Sequence, residues 1–166
     1  MITTQKKSRP TFYFNEQPVR AAGLLISIVE NNKKYYLLRS TKHTWSDMGG
    51  KTDAVDSDII STIVRETTEE TNNHLFSPYH SYEQAYGMLD NVLRNEELQI
   101  FYCPRAKYVL VKVELDSNLK SMSMKRFGLL EGTDKMNHYY KWISDIKRFK
   151  MHPRLRYHKD FNKIFK

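Results

Sequence analysis

The chain has 166 residues, 40% of them hydrophobic, and a formal net charge of +8. That length is enough for one domain around a single sizeable core. The lone cysteine, Cys103, excludes an intramolecular disulfide and points to a reducing compartment or to indifference to one, and a cytoplasmic setting is expected. No apolar run approaches a membrane span and MITTQKKSRP lacks the apolar stretch of a secretory signal, so no membrane partner is expected.

Residues 1–19 read as a polar tail with a short strand at Thr11 to Phe14, and residues 20–166 as a single domain. Arg20 to Glu30 is a nearly continuous apolar, β-branched run, which predicts a buried strand. Asn31-Asn32 is a turn, and Lys34 to Ser40 returns as the second strand of a hairpin. Thr41 to Lys51 is expected to be a loop carrying Trp45 and the pair Gly49-Gly50. Trp45 is either a core plug or a lid over substrate.

A helix is predicted after Asp56-Ser57-Asp58, whose side chains suit its N-terminus, with Ile59, Ile60, Ile63 and Val64 as the apolar stripe. Asp56 and Asp58 are either caps or further acids of a metal site. Ser81 to Arg94 is a second helix or a pair of strands, and Leu98 to Cys103 and Lys107 to Leu115 are strands, the latter alternating cleanly. Asp116 to Met136 is polar and irregular. Tyr139 to Ile143 is a late strand, and Met151 to Phe165 a closing amphipathic helix with Leu155, His158, Phe161, Ile164 and Phe165 inward. That helix either closes the domain or lies on a membrane surface.

The positive charge is concentrated at the end of the chain. From Lys141 onward nine Lys and Arg stand against two Asp, which reads either as a solvated basic helix or as a surface facing nucleic acid or phosphate. No HExxH, paired CxxC, P-loop or GxGxxG occurs, and the six histidines are scattered.

The chemistry concentrates in WSDMGGKTDAVDSDIISTIVRETTEETNN, residues 45–73. Glu66, Glu69 and Glu70 are spaced i, i+3 and i+4, so on a helix they share one face. Like charges so placed cost a few tenths of a kcal/mol per pair, about 0.2–0.5, and a divalent cation removes that cost. The other reading is a solvated acidic face. Arg65 lies four residues before Glu69 and can orient a carboxylate by a forked hydrogen bond. Gly49-Gly50 lets backbone groups approach a ligand closely.

Together these residues resemble the Nudix box, G-x5-E-x7-R-E-U-x-E-E-x-G-U. Arg65, Glu66, Glu69 and Glu70 reproduce R-E-x-x-E-E. Counted from Gly50 the first acid of the box falls on Asp56, with eight residues rather than seven before Arg65, so the loop carries one extra residue. Thr67 replaces a bulky aliphatic, and Asn72-Asn73 replace the closing glycine and aliphatic; asparagine tolerates the left-handed conformation that ends a helix.

The resemblance implies an α/β fold, a mixed β-sheet sandwiched between α-helices. It implies hydrolysis of a nucleoside diphosphate linked to another moiety, with Mg2+ or Mn2+ held by Glu66, Glu69, Glu70 and a carbonyl of Gly50, and with Arg65 holding the acids in register. Lys51 would touch a phosphate. Glu131, with Asp134 behind it, is either a late-loop base or a surface carboxylate. The substrate would be a nucleotide or an RNA 5' end, for which the basic end of the chain and Tyr139, Tyr140 and Trp142 favour mRNA decapping. The alternative is a Nudix-like module that binds RNA or nucleotides without turnover.

Overall fold

The computed structural model describes residues 7–128 and 139–166. Its opening strands β1 (Phe12–Phe14) and β2 (Gln17–Val19) form an antiparallel ribbon across Asn15-Glu16, both with left-handed φ of 47° and 65°. The segment expected as a tail therefore carries a second strand, and Val19 is fully buried in the core.

Asparagine at left-handed φ recurs where the main sheet begins. β3 (Ala21–Glu30) turns through Asn31-Asn32, at φ 52° and 61°, into β4 (Lys33–Thr41). Asparagine visits this region at little cost, and two such residues give the tight turn that matches strand twist. Lys42-His43 makes a similar turn into β5 (Thr44–Ser46), followed by β6 (Met48–Lys51).

Two strands thus replace the loop expected over Thr41 to Lys51. β5 pairs with the end of β4 and β6 with the start of β3, so the two fill the fork where β3 and β4 diverge. On the other edge of β3 lies β8 (Tyr108–Glu114), parallel to it, and β7 (Gln99–Cys103) pairs antiparallel to β8. β9 (Tyr139–Ile143) pairs antiparallel to β4 and completes a mixed sheet of seven strands.

α1 (Ile59–Glu70) starts where the capping chemistry dictates. Asp58 accepts from the Ser61 N–H at 2.7 Å and donates its own N–H to the Ser61 hydroxyl at 3.0 Å. Its inner face buries Ile63 and Val64 against Leu24, Ile26, Leu37, Met48 and Val111. The helix ends at Asn72-Asn73, with left-handed φ of 51° and 64°. α2 (Tyr82–Asn95), capped by Ser81 and Gln84, is a helix and not a strand pair; Ala85, Leu89 and Leu93 turn inward on the same face of the sheet.

The opposite face is covered by the end of the chain, as two short helices rather than one long one. Trp45 bridges Met151 in parallel; α3 (Pro153–Arg156) and α4 (Phe161–Ile164) follow. His152 and Pro153 set a start, and His158 interrupts by accepting the Asp160 N–H on its ring Nδ1 at 3.0 Å. Leu155 and Ile164 are buried with Leu25, Leu38, Leu110 and Ile143, while Phe161 and Phe165 pack around them. The result is a mixed α/β fold, helices on both faces of a mixed sheet. No helix among the described residues is long and apolar enough to cross a membrane.

Ile63 is fully buried between α1 and the sheet. Ile63→Ala is expected to cost about 2–5 kcal/mol of unfolding free energy, read by urea denaturation; a cost within about 0.5 kcal/mol would mean that α1 is not seated on the sheet as described.

Candidate functional site

The site is built around the fork strand β6. A Cβ placed on Gly50 would lie 2.6 Å from the carboxylate carbon of Glu66, so that carboxylate occupies the space a side chain would take. A Cβ on Gly49 would overlap the Ala22 carbonyl oxygen, the Gly23 Cα and the Tyr108 hydroxyl. The double glycine therefore lets β6 run between a carboxylate of α1 on one face and a phenol of β8 on the other.

Arg65 gathers the acids. Its Nε donates to Asp56 Oδ1 at 2.8 Å and its Nη2 to Asp56 Oδ2 at 3.1 Å and to the Lys51 carbonyl at 2.9 Å. Its Nη1 reaches Glu66 at 3.1 Å and Glu69 at 3.5 Å. One guanidinium thus ties the start of the loop, the end of β6 and two helix carboxylates together, which offsets the like charges of α1. Asp56 neither caps α1 nor stands free for a metal. Burial raises its pKa, and the fork from Arg65, the Asp53 N–H and the Thr62 hydroxyl outweigh that, so it lies below the ordinary aspartate value. Asp58 is the cap and also pairs with Arg94 at 3.0 Å.

Glu70 is placed differently. Its side chain is 1% exposed against 16% for Glu66 and 43% for Glu69, and it pairs with Arg39 of β4 at 2.9 Å. Its carbonyl accepts from the Tyr140 hydroxyl at 3.1 Å and from the Gly128 N–H at 2.7 Å, fixing the end of α1 to β9. Glu66 and Glu69 share Arg65, whereas Glu70 is held on Arg39. Among the described residues no three His, Cys, Asp or Glu side chains are grouped as a ready metal site.

Trp45 sits on the far face of the sheet, edge-on to Phe149 at 5.7 Å, the position of a plug and not of a lid over the acids. Lys51 is exposed at the end of β6, beside Arg65. Glu131 and Asp134 lie outside the described residues.

Two groups escaped sequence reasoning. One is Arg39, an ordinary strand cation until β4 is seen to run under the end of α1. The other is a buried trio at the fork. Asp47, 1% exposed, accepts from the Tyr108 hydroxyl and, at 2.7 Å, from Arg154, whose guanidinium lies 3.9 Å from the Tyr108 ring centre. Burial first, then the charge of Asp47, pushes the Tyr108 hydroxyl far above its ordinary pKa. The available signal was the lone carboxylate in TWSDMGG, at the bend where β5 passes into β6.

No family model matches the chain, and no curated protein matches it. Among solved structures, a C. elegans Ap4A hydrolase binary complex is 19% identical over 77% of this chain and 84% of that one, with a TM-score of 0.41. Another structure of C. elegans Ap4A hydrolase gives 21%, 89%, 86% and 0.38. The NUDIX domain of Shewanella oneidensis NrtR complexed with ADP ribose gives 14%, 92%, 86% and 0.48.

Gly49→Ala meets backbone and Gly50→Ala only the end of a flexible side chain. Gly49→Ala is expected to lose about 3 kcal/mol or more and Gly50→Ala about 1 kcal/mol, by urea denaturation; equal losses would contradict the two-sided packing of β6.

Because the folded-state pKa of Asp56 is depressed, the stability its charge contributes is complete above the unfolded aspartate value of about 4 and is lost as pH falls through the lower folded value. The difference in unfolding free energy between wild type and Asp56→Asn should thus be largest at neutral pH and shrink on acidification. A gap that is the same at pH 7 and pH 2.5 would refute the pairing.

Proposed function

We propose that the protein is a Nudix-type pyrophosphohydrolase, cleaving the diphosphate of a nucleoside diphosphate linked to another group in a reaction dependent on Mg2+ or Mn2+. The observation that carries this reading is the Arg65 fork. It brings Asp56, Glu66 and Glu69 together beside a glycine whose missing side chain makes room for the Glu66 carboxylate.

The donors fit a hard divalent cation: carboxylate oxygens, at a strand end without side-chain obstruction. Glu66 and Glu69 would hold it, with Glu70 and a Gly50 carbonyl completing the set that the box implies. When bound, the cation would lower the pKa of a water and offset charge on the diphosphate. Arg65 keeps Glu66 and Glu69 in register, and Lys51, exposed beside the fork, would take a phosphate oxygen. Glu69, the most exposed of the three glutamates, would accept the proton of the attacking water at its carboxylate, with Glu131 as the late-loop alternative.

Small nucleotides and an RNA 5' end share this chemistry. The placement of the basic segment favours the small substrate. Tyr140 and Trp142 face the α1 layer, whereas Lys141 and the residues beyond Ile143 belong to the layer behind the sheet, so one short RNA end would have to pass round β9 to use both. A nucleotide-binding or RNA-binding module without turnover is the second reading, favoured by the burial of Glu70 against Arg39.

The test is incubation with ADP-ribose, dinucleoside polyphosphates, nucleoside triphosphates and capped RNA, with and without Mn2+, reading products by mass. Metal-dependent cleavage of a small nucleotide is expected. Glu66→Gln should lower kcat/KM by about a hundredfold or more, since a bound cation supplies several kcal/mol and each ~1.4 kcal/mol is tenfold. Binding without cleavage of any substrate would establish the module instead. Cleavage confined to capped RNA, falling steeply as salt rises, would establish decapping.

A further inference from the structure

β8 carries a lysine among its apolar residues. Tyr108 and Leu110 face the layer behind the sheet, and Lys112 is the next side chain on that face, 5% exposed between Leu25 of β3 and Gln99 of β7. A lysine so buried is rare without a carboxylate against it. Among the described residues no carboxylate pairs with it: its Nζ donates to the Lys166 carbonyl at 3.5 Å and stands 5.4 Å from the centre of the Tyr36 ring.

Two further donors converge on the same oxygen. Lys34 Nζ donates to the Lys166 carbonyl at 3.1 Å and the Tyr36 hydroxyl donates to it at 3.0 Å, so two amines and a phenol share one neutral acceptor. Lys34 also pairs with Glu114 at 3.3 Å. Together with the buried Ser27, Lys112 lies on the floor of a cleft of about 1050 Å3, which solvent enters past the exposed Glu96, Glu97, Lys163 and Lys166.

A lysine amine becomes a nucleophile when it is desolvated or set beside another cation, and Lys112 meets both conditions. Burial first, and then the charge of Lys34, lower its pKa to about 8; the Glu114 carboxylate pulls the other way and is outweighed. Burial, and then the charge of Glu114, push the Tyr36 hydroxyl up to about 12, so it remains a donor where the amine loses its proton. The four rim charges face the amine through solvent.

We propose that Lys112 is a carbamate-forming site, whose neutral amine takes up carbon dioxide into a group held by Lys34 and Tyr36. The nitrogen lone pair bonds the carbon of CO2, one C–O π pair moves onto oxygen, and an N–H proton leaves to water, which gives one carbamate anion and one proton. The charge at residue 112 thereby passes from positive to negative. The Lys34 ammonium, which repels the protonated amine, becomes its ion-pair partner, and the Tyr36 hydroxyl donates to a charged oxygen instead of a neutral one. Carbon dioxide is small enough to reach an amine that is 5% exposed, as a modifying enzyme is not. The site lies in the layer opposite the α1 acids and is independent of the proposed activity.

The test is carbon-13 NMR of the whole chain in labelled bicarbonate at pH 8.5, followed by trapping of the carbamate as its ethyl ester with triethyloxonium and location of the adduct by peptide mass. A carbamate resonance and an adduct on Lys112 are expected. Both should be lost in Lys112→Met and kept in Lys163→Arg, which removes an exposed amine of the rim. At constant dissolved CO2 the resonance should grow as pH rises through about 8, because only the neutral amine reacts, and vanish on acidification. A resonance unchanged in Lys112→Met overturns the proposal. Should that variant fail to fold, the trapped wild type decides alone: an adduct on Lys112 supports the site, and adducts only on other amines, or none, overturn it.

Discussion

The passage of β6 between two layers constrains everything near the site. At Gly49 and Gly50 the backbone runs with a phenol against one face and a carboxylate against the other. A side chain at Gly49 would meet backbone as well as the phenol and one at Gly50 would displace the carboxylate, and the two contacts belong to different layers of the fold. Tyr108 reaches the strand from β8 with Asp47 and Arg154 behind it, and Glu66 reaches it from α1 with Arg65 behind it. The fork of β3 and β4 is thereby clamped by two polar assemblies, each with a carboxylate and an arginine. This explains why a carboxylate as buried as Asp47 persists at the bend: both its oxygens have partners, and an ion pair with Arg154 offsets the cost of leaving water.

The acidic face of α1 follows the same logic. Three glutamates within five residues of a helix repel one another, and the repulsion is distributed over two arginines from different places in the chain. Arg65 is local, one turn from Glu69, and it also reaches back to Asp56 and to the Lys51 carbonyl. Arg39 is remote in sequence and adjacent in space only because β4 runs beneath the last turn of α1. The division leaves Glu69 toward solvent, Glu66 packed against β6 and Glu70 inside. A face that looks uniform by helical spacing is therefore two unlike environments.

How far the sequence could be read depended on whether the deciding contacts were local. α1 was legible because its start, its apolar stripe and its end are fixed by neighbours: Asp58 with Ser61, Ile63 with Val64, and the left-handed Asn72-Asn73. The strands β3, β4, β8 and β9 were legible from apolar runs and alternation. β5 and β6 were not, since MGGK has no strand propensity and becomes a strand only because β3 offers it an open edge. The apolar spacing of the closing segment is helical throughout and predicts one long helix, while the break at Tyr157 to Asp160 comes from the His158 ring, whose Nε2 also meets the Tyr102 carbonyl at 2.9 Å. At the site, the pairing of Arg65 with Glu69 was legible from i, i+4 spacing, whereas its fork on Asp56, nine residues back, was not. The Arg39 and Arg154 pairs were not, because residue type says nothing about which strand crosses which helix.

The layer order also bears on what the net charge of +8 can do. Of the nine cations from Lys141 onward, eight are exposed, and Arg154 turns inward to Asp47. That exposed set belongs to the far side of the sheet from α1, with a sheet and a packed layer between, on the order of 20 Å through the fold. Exposed charges are largely screened beyond about 8 Å at physiological salt, so this surface contributes little to the potential at Glu66 and Glu69. It can still draw a polyanion to its own face. The charges that act at the acids are instead the near ones: Arg65 and Lys51 at the fork and Arg39 beneath the helix end. Arg65 is committed to the acids by five contacts with three carboxylates and a carbonyl. The local field at the acids is therefore set by these near cations and not by the overall charge of the chain.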